Sequence, residues 1–184
     1  MKSFFSVLLV LILSISLSAQ PFKSGDKIGQ VGIGYGFAGI YGGTTIPPIS
    51  LGFQYGLDIT GDLKDKISLG GIIGYTSSSY DYGTYLGTDW SWTYRYILIG
   101  ARGEYHFLEN SENLDAYGGI TVGYAIVSVS EPTGWNGYGY SAGTSYAVFG
   151  FHVGARYYFS PTIAVFGELG YGVGYITAGV AFKL

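Results

Sequence analysis

From Ile176 to Leu184 every second residue is apolar. Ile176, Ala178, Val180, Phe182 and Leu184 share one side, and Thr177, Gly179, Ala181 and Lys183 share the other. A period of two belongs to a pleated strand, whose successive side chains point to opposite faces. Seven further stretches show the same division, with bulky apolar residues opposite a face of glycine, small polar and charged residues. In a soluble barrel the bulky face fills the core and the other is wetted. Here the charges share the glycine face. A narrow barrel has little interior room, so small and ionic groups turned inward and bulky groups turned toward hydrocarbon fit that division. The pattern predicts an all-β fold, an eight-stranded antiparallel up-and-down transmembrane β-barrel.

The expected strands are Lys27–Ala38, Ile49–Asp58, a third from Ile67 to Thr76, Ser91–Phe107, Leu114–Ser128, Ala147–Tyr157, Ala164–Val173 and Ile176–Leu184. A tilted strand crosses a bilayer with about 9–11 residues. The connections alternate in kind. Ile59–Lys66, Leu108–Asn113 and Ser160–Thr162 are short or charged turns. Gly39–Pro48, Ser77–Trp90 and Val129–Gly143 are longer and rich in Gly, Tyr, Ser and Thr, and Gly172–Tyr175 is very tight. Short periplasmic turns, longer external loops and an even strand number place both termini on the periplasmic side.

Residues 1–19 read as a signal peptide and 20–184 as the barrel domain. Lys2 supplies the positive start, Val7 to Leu13 an unbroken apolar tract, and Ser16, Ser18 and Ala19 the small residues of a cleavage site. The chain has no cysteine, which excludes disulfides, thiolate metal sites, a cysteine nucleophile and an acylated N-terminal cysteine. A net charge of −3 without a basic stripe excludes nucleic acid as a partner. No cofactor or metal is expected. Thirty-two glycines would point to low complexity, but an aromatic content of 18% argues for a folded chain.

Arg102, Glu104, His106, Asp115, His152, Arg156 and Glu168 fall on inward faces, mostly in the lower half of the lumen. Ions in a poorly hydrated interior must pair. Arg102 and Arg156 are therefore expected to form a plug with Glu104 and Glu168 that closes the lumen. Arg95 points outward near the top of the fourth strand. It either snorkels or contacts a lipopolysaccharide phosphate, which a guanidinium suits geometrically. Tyr80, Tyr82, Tyr85, Trp90 and Trp92 crowd one external hairpin, and Trp135, Tyr138 and Tyr140 the next. They either anchor strands at the interface or form a contact surface for an extracellular glycan or protein. Catalysis is not expected. The chain has two histidines, neither expected beside both a serine and an acid, and it lacks zinc-protease and phosphate-loop patterns.

The stretch GARYYFSPTIAVFGELGYGVGYITAGVAFKL, Gly154 to Leu184, resembles the end of outer-membrane β-barrel proteins of Bacteroidetes-type bacteria. Ile99 to Phe107 and Tyr117-Gly118-Gly119 resemble the middle hairpin of that family. The likeness covers essentially all of residues 20–184 and extends in architecture to the small OmpX and OmpA barrels. It implies residence in a Gram-negative outer membrane as a monomer, insertion by the barrel-assembly machinery, and lipid and lipopolysaccharide as surroundings. That machinery reads a terminal strand ending in an aromatic residue. This chain ends in Leu184 with Phe182 two residues earlier. The resemblance implies no common catalytic site. A structural or surface-contact role is the expected function, and a porin-like, narrow conduit for small or hydrophobic compounds is the alternative.

Overall fold

The computed structural model describes residues 22–36, 44–85, 88–108, 111–130 and 145–184. The segment assigned as a signal peptide, residues 1–19, lies outside the described residues, as do Trp135, Tyr138 and Tyr140. Eight strands follow in order: β1 (Lys27–Tyr35), β2 (Thr44–Gly56), β3 (Ile67–Tyr85), β4 (Thr88–His106), β5 (Leu114–Ser130), β6 (Tyr146–Tyr158), β7 (Ile163–Tyr171) and β8 (Ile176–Lys183). Each pairs antiparallel with the next, and β1 pairs with β8, which closes the barrel. Closure removes every free edge within the wall, so the backbone polar groups of the strands are satisfied by their neighbours. The start of β1, the end of β8 and the connections after β2, β4 and β6 lie at one end, called here the turn end. The other is the loop end.

The outer face is apolar along the whole circumference. Val31, Leu51, Ile73, Ile99, Val122, Phe151 and Leu169 are all exposed on it, one or more from each of the first seven strands, and Phe182 continues the belt on β8. A continuous apolar surface of this extent is what a membrane-spanning wall requires. Inside, strand backbones approach closely where glycine stands. A side chain at Gly70 would strike the Phe53 carbonyl, and one at Gly179 the Val31 carbonyl.

Three strands, β2, β3 and β4, extend well beyond their expected limits. The stretch from Ser77 to Trp90, read as a loop, is largely sheet: β3 and β4 stay paired up to Tyr85 and Thr88. Its serines, threonines and aromatics suit a strand as well as a loop. The hairpin is held by a Ser79–Thr93 hydroxyl contact of 2.8 Å and by the edge of Tyr80 against Tyr94. A register shift between Asp81 and Thr84 accommodates Gly83 at φ +82°. β2 likewise begins at Thr44 rather than Ile49. It runs through Pro47 and Pro48, which cannot donate to the ladder, and the register shifts there accordingly. The barrel is therefore lopsided. β3 and β4 have 19 residues each, whereas β7 and β8 have 9 and 8, so the loop-end rim is lowest at the Gly172–Tyr175 turn.

Candidate functional site

The lumen is built in three layers. At the turn end Phe22, Ile28, Tyr158, Ala164, Phe166 and Ala181 form an apolar layer. Toward the loop end Leu98, Ala125 and Val148 form another, with Val173 of the β7–β8 turn packed against them, and Ile72 is buried inside as well. Between them lies the ionic layer. The inner apolar residues differ from the expected small and polar inner face. An aliphatic side chain reads the same by type whether it meets lipid or fills a lumen; only its parity with Ser68, Arg102 or Arg156 on the same strand places it inside.

Arg102 and Arg156 organise the ionic layer. Arg102 Nε lies 3.1 Å from Glu104 Oε1, and its Nη2 lies 2.8 Å from Glu168 Oε2. Arg102 Nε also donates to His152 Nε2 at 3.0 Å. Arg156 is fully buried. It donates from Nη1 to Asp115 Oδ2 at 3.0 Å, and from Nη2 to Glu104 Oε2 at 2.9 Å and Gln30 Oε1 at 3.0 Å. Its guanidinium lies 3.8 Å above the Tyr117 ring. The four residues expected to form a plug are thus brought together, with Glu104 shared by both arginines. Glu104 also accepts from Gln54 Nε2 at 2.9 Å, and Glu168 from the Tyr117 hydroxyl at 2.7 Å. Gln30, Gln54 and Tyr117 belong to the cluster although no charge marks them. Their signal in the sequence is a large polar residue on an otherwise small face.

The cluster reaches further up than the lower half of the lumen. Arg102, His152 and Glu168 line a cavity of about 30 Å³ together with Gly172, Val173 and Gly174 of the β7–β8 turn. The low rim of β7 and β8 brings that turn down to the ionic layer. A polar cavity of this size is room for one or two waters, and the hydroxyls of Ser50, Thr121 and Thr177 line it too.

The expectation for His106 is overturned. Its Nδ1 lies 2.7 Å from Asp115 Oδ1 and its Nε2 3.0 Å from Ser68 Oγ. A serine and an acid therefore flank this histidine, and all three side chains are buried. The three residues come from three strands, β3, β4 and β5, so the constellation is visible only once their register is known. Among the described residues no group of three His, Cys, Asp or Glu side chains is placed to hold a metal ion.

Outside the lumen, Arg95 is exposed and donates from Nη1 to Ser130 Oγ at 3.1 Å, next to the loop end of β5. Tyr80 and Trp92 are directly opposite each other on the β3–β4 hairpin. Tyr82, Tyr85 and Trp90 stand on the same hairpin, with only their backbone described.

No protein-family model matches the chain, and no curated protein does. Solved structures do. The outer membrane protein OprG from Pseudomonas aeruginosa matches 90% of this chain over 99% of its own, with a TM-score of 0.61 at 13% identity. The N-terminal β-barrel domain of Pseudomonas aeruginosa OprF matches 88% of this chain over 99% of its own, with a TM-score of 0.55 at 13% identity. The fold is that of the small outer-membrane barrels. At this identity the likeness concerns fold alone, and what the barrel does has to be argued from its own residues.

Proposed function

We propose that the chain is an outer-membrane protein of a Gram-negative bacterium, exported by its first 19 residues, whose barrel is a sealed anchor for a surface-contact hairpin. The observation that carries this reading is the three-layered lumen. An ionic layer of buried, mutually bonded side chains lies between two apolar layers, and an eight-stranded wall leaves room for side chains rather than a water-filled channel. The cavity of about 30 Å³ beside Arg102 has room for a water or two and not for a solute. What is left to act on the surroundings is the outside. The β3–β4 hairpin, the longest pair among the described strands, carries aromatic residues, a residue type that makes large contact areas at low entropic cost. Arg95, at the loop-end level of the wall, is assigned to a lipopolysaccharide phosphate, with the barrel acting as a monomer inserted by the assembly machinery.

Replacing Asp81–Ser91, the stretch between the paired Tyr80 and Trp92, by a two-residue Asn-Gly turn tests this reading. The shortened hairpin keeps a turn that two strands can share, so the protein is expected to fold, as judged by its heat-modifiable migration on gels. Cells carrying it are expected to lose adhesion to glycan- or protein-coated surfaces. Unchanged adhesion by the folded variant contradicts the contact role. A steady ionic current through the wild-type protein in planar bilayers would favour the narrow conduit instead.

A further inference from the structure

Ser68, His106 and Asp115 are bonded in series through the two ring nitrogens of the histidine. With the Nδ1 proton donated to Asp115, Nε2 is left to accept the proton of the serine, which is how a hydroxyl is made nucleophilic. Asp115 is held in place by Arg156 on its second oxygen. The set lies at the turn end of β3, β4 and β5, and the segment from Phe22 to Gly25 lies against it. Phe22 stacks flat on His106, with ring centroids 3.5 Å apart and planes within 3°. The tip of Phe22 also fills the space beside Gly56, the register partner of Ser68.

Phe22 does not belong to the barrel wall. It precedes β1, on a segment tied down by Ser24 N donating to Asp65 Oδ1 at 2.6 Å, Ser24 Oγ to the Leu57 carbonyl at 3.0 Å, and Gly25 N to the Gly56 carbonyl at 2.9 Å. Lifting that segment breaks none of the ladders that close the barrel.

We propose that Ser68 is a histidine-activated nucleophile at the turn-end mouth, masked by Phe22, and that it captures acyl or phosphoryl groups from small uncharged esters and fluorophosphates once Phe22 is withdrawn. This goes beyond the anchoring role and does not depend on it. Three carboxylates, Glu104, Asp115 and Glu168, face two arginines, Arg102 and Arg156, in the adjoining layer, an excess that disfavours anionic reagents. With a dialkyl fluorophosphate the Ser68 Oγ–P bond forms as the P–F bond breaks. Fluoride leaves, and the Oγ proton passes to His106 Nε2. The resulting imidazolium sits between Asp115 and Glu104, whose Oε2 is 4.0 Å from Nε2. The inference is covalent capture, not turnover.

The probe is diisopropyl fluorophosphate on the refolded full chain in detergent, read by mass spectrometry of the peptide containing Ser68. Phe22→Gly is expected to be labelled at Ser68 at least about tenfold faster than wild type. Adding Asp115→Asn or His106→Gln to it is expected to slow labelling about a hundredfold, the scale of general-base assistance. Adding Ser68→Ala is expected to remove the label. Should Phe22→Gly fail to fold, Ser24→Pro serves in its place: it removes the donor that ties the covering segment to Asp65, leaves Phe22 and the strands untouched, and is expected to label faster than wild type. A folded unmasked variant that labels no faster than wild type overturns the proposal. So does a label on another residue, or labelling indifferent to His106.

Discussion

Replacing Arg156 by methionine is expected to lower the unfolding free energy by about 3–5 kcal/mol, the scale on which removing one partner of a buried ion pair acts. The effect follows from where the arginine sits. Its guanidinium is fully buried and serves Asp115, Glu104 and Gln30 at once, over the Tyr117 ring. Methionine fills much of the same length and removes the charge. Glu104 keeps Arg102 and Gln54, whereas Asp115 loses its guanidinium and keeps its bond to His106. A urea titration of the protein folded in lipid vesicles measures the loss. Combining Arg156→Met with Asp115→Asn removes the stranded carboxylate, and the double variant is expected to be more stable than the sum of the two single losses. Lys183→Met is the comparison. Its 2.8 Å bridge to Asp26 is partly exposed, so it is expected to cost under about 1 kcal/mol. Equal titrations for Arg156→Met and wild type would mean that the ionic layer does not hold the lumen together.

The second large effect is on the outer face. Val122→Arg is expected to destabilise the barrel by about 2–4 kcal/mol, the cost of a cation at the bilayer midplane on a lipid-facing wall. Val122 is 55% exposed in the middle of β5, with Ala101 and Phe149 as its direct neighbours on β4 and β6. Tyr146→Arg, at the loop-end start of β6, is expected to cost only about 0–1 kcal/mol, because the side chain can reach the interface. A barrel surrounded by water would show no such depth dependence, since an exposed Val122 could then take a charge as freely as Tyr146. The same urea titration in vesicles, run on both variants, separates the two cases.

The strands and the inward ionic residues were legible because their information is local. Alternation around Glu104 or Arg156 names the face without any knowledge of neighbouring strands. What was not legible depended on register or on ambiguous chemistry. Leu98, Ile72 and Val148 look like lipid-facing residues by type, although their parity with Arg102, Ser68 and Arg156 puts them on the inner face. Tyr80 to Trp92 have strand and loop character together, and the hydroxyl and ring contacts across the hairpin decide in favour of strand. Ser68, His106 and Asp115 are far apart or differently placed in the chain and meet only through the β3–β4–β5 register. Phe22 precedes the first alternating stretch, so periodicity says nothing about it.

The central claim is that bulky residues face hydrocarbon while a second set of apolar residues and the ions fill a closed interior. It is tested most directly by methyl NMR of the protein in nanodiscs that contain a spin-labelled lipid. The methyl signals of Val31, Leu51, Val122 and Leu169 are predicted to broaden, and those of Ile28, Leu98 and Val148 to stay sharp. Broadening of the second set instead of the first, or a protein that remains monomeric in buffer without lipid or detergent, would contradict it.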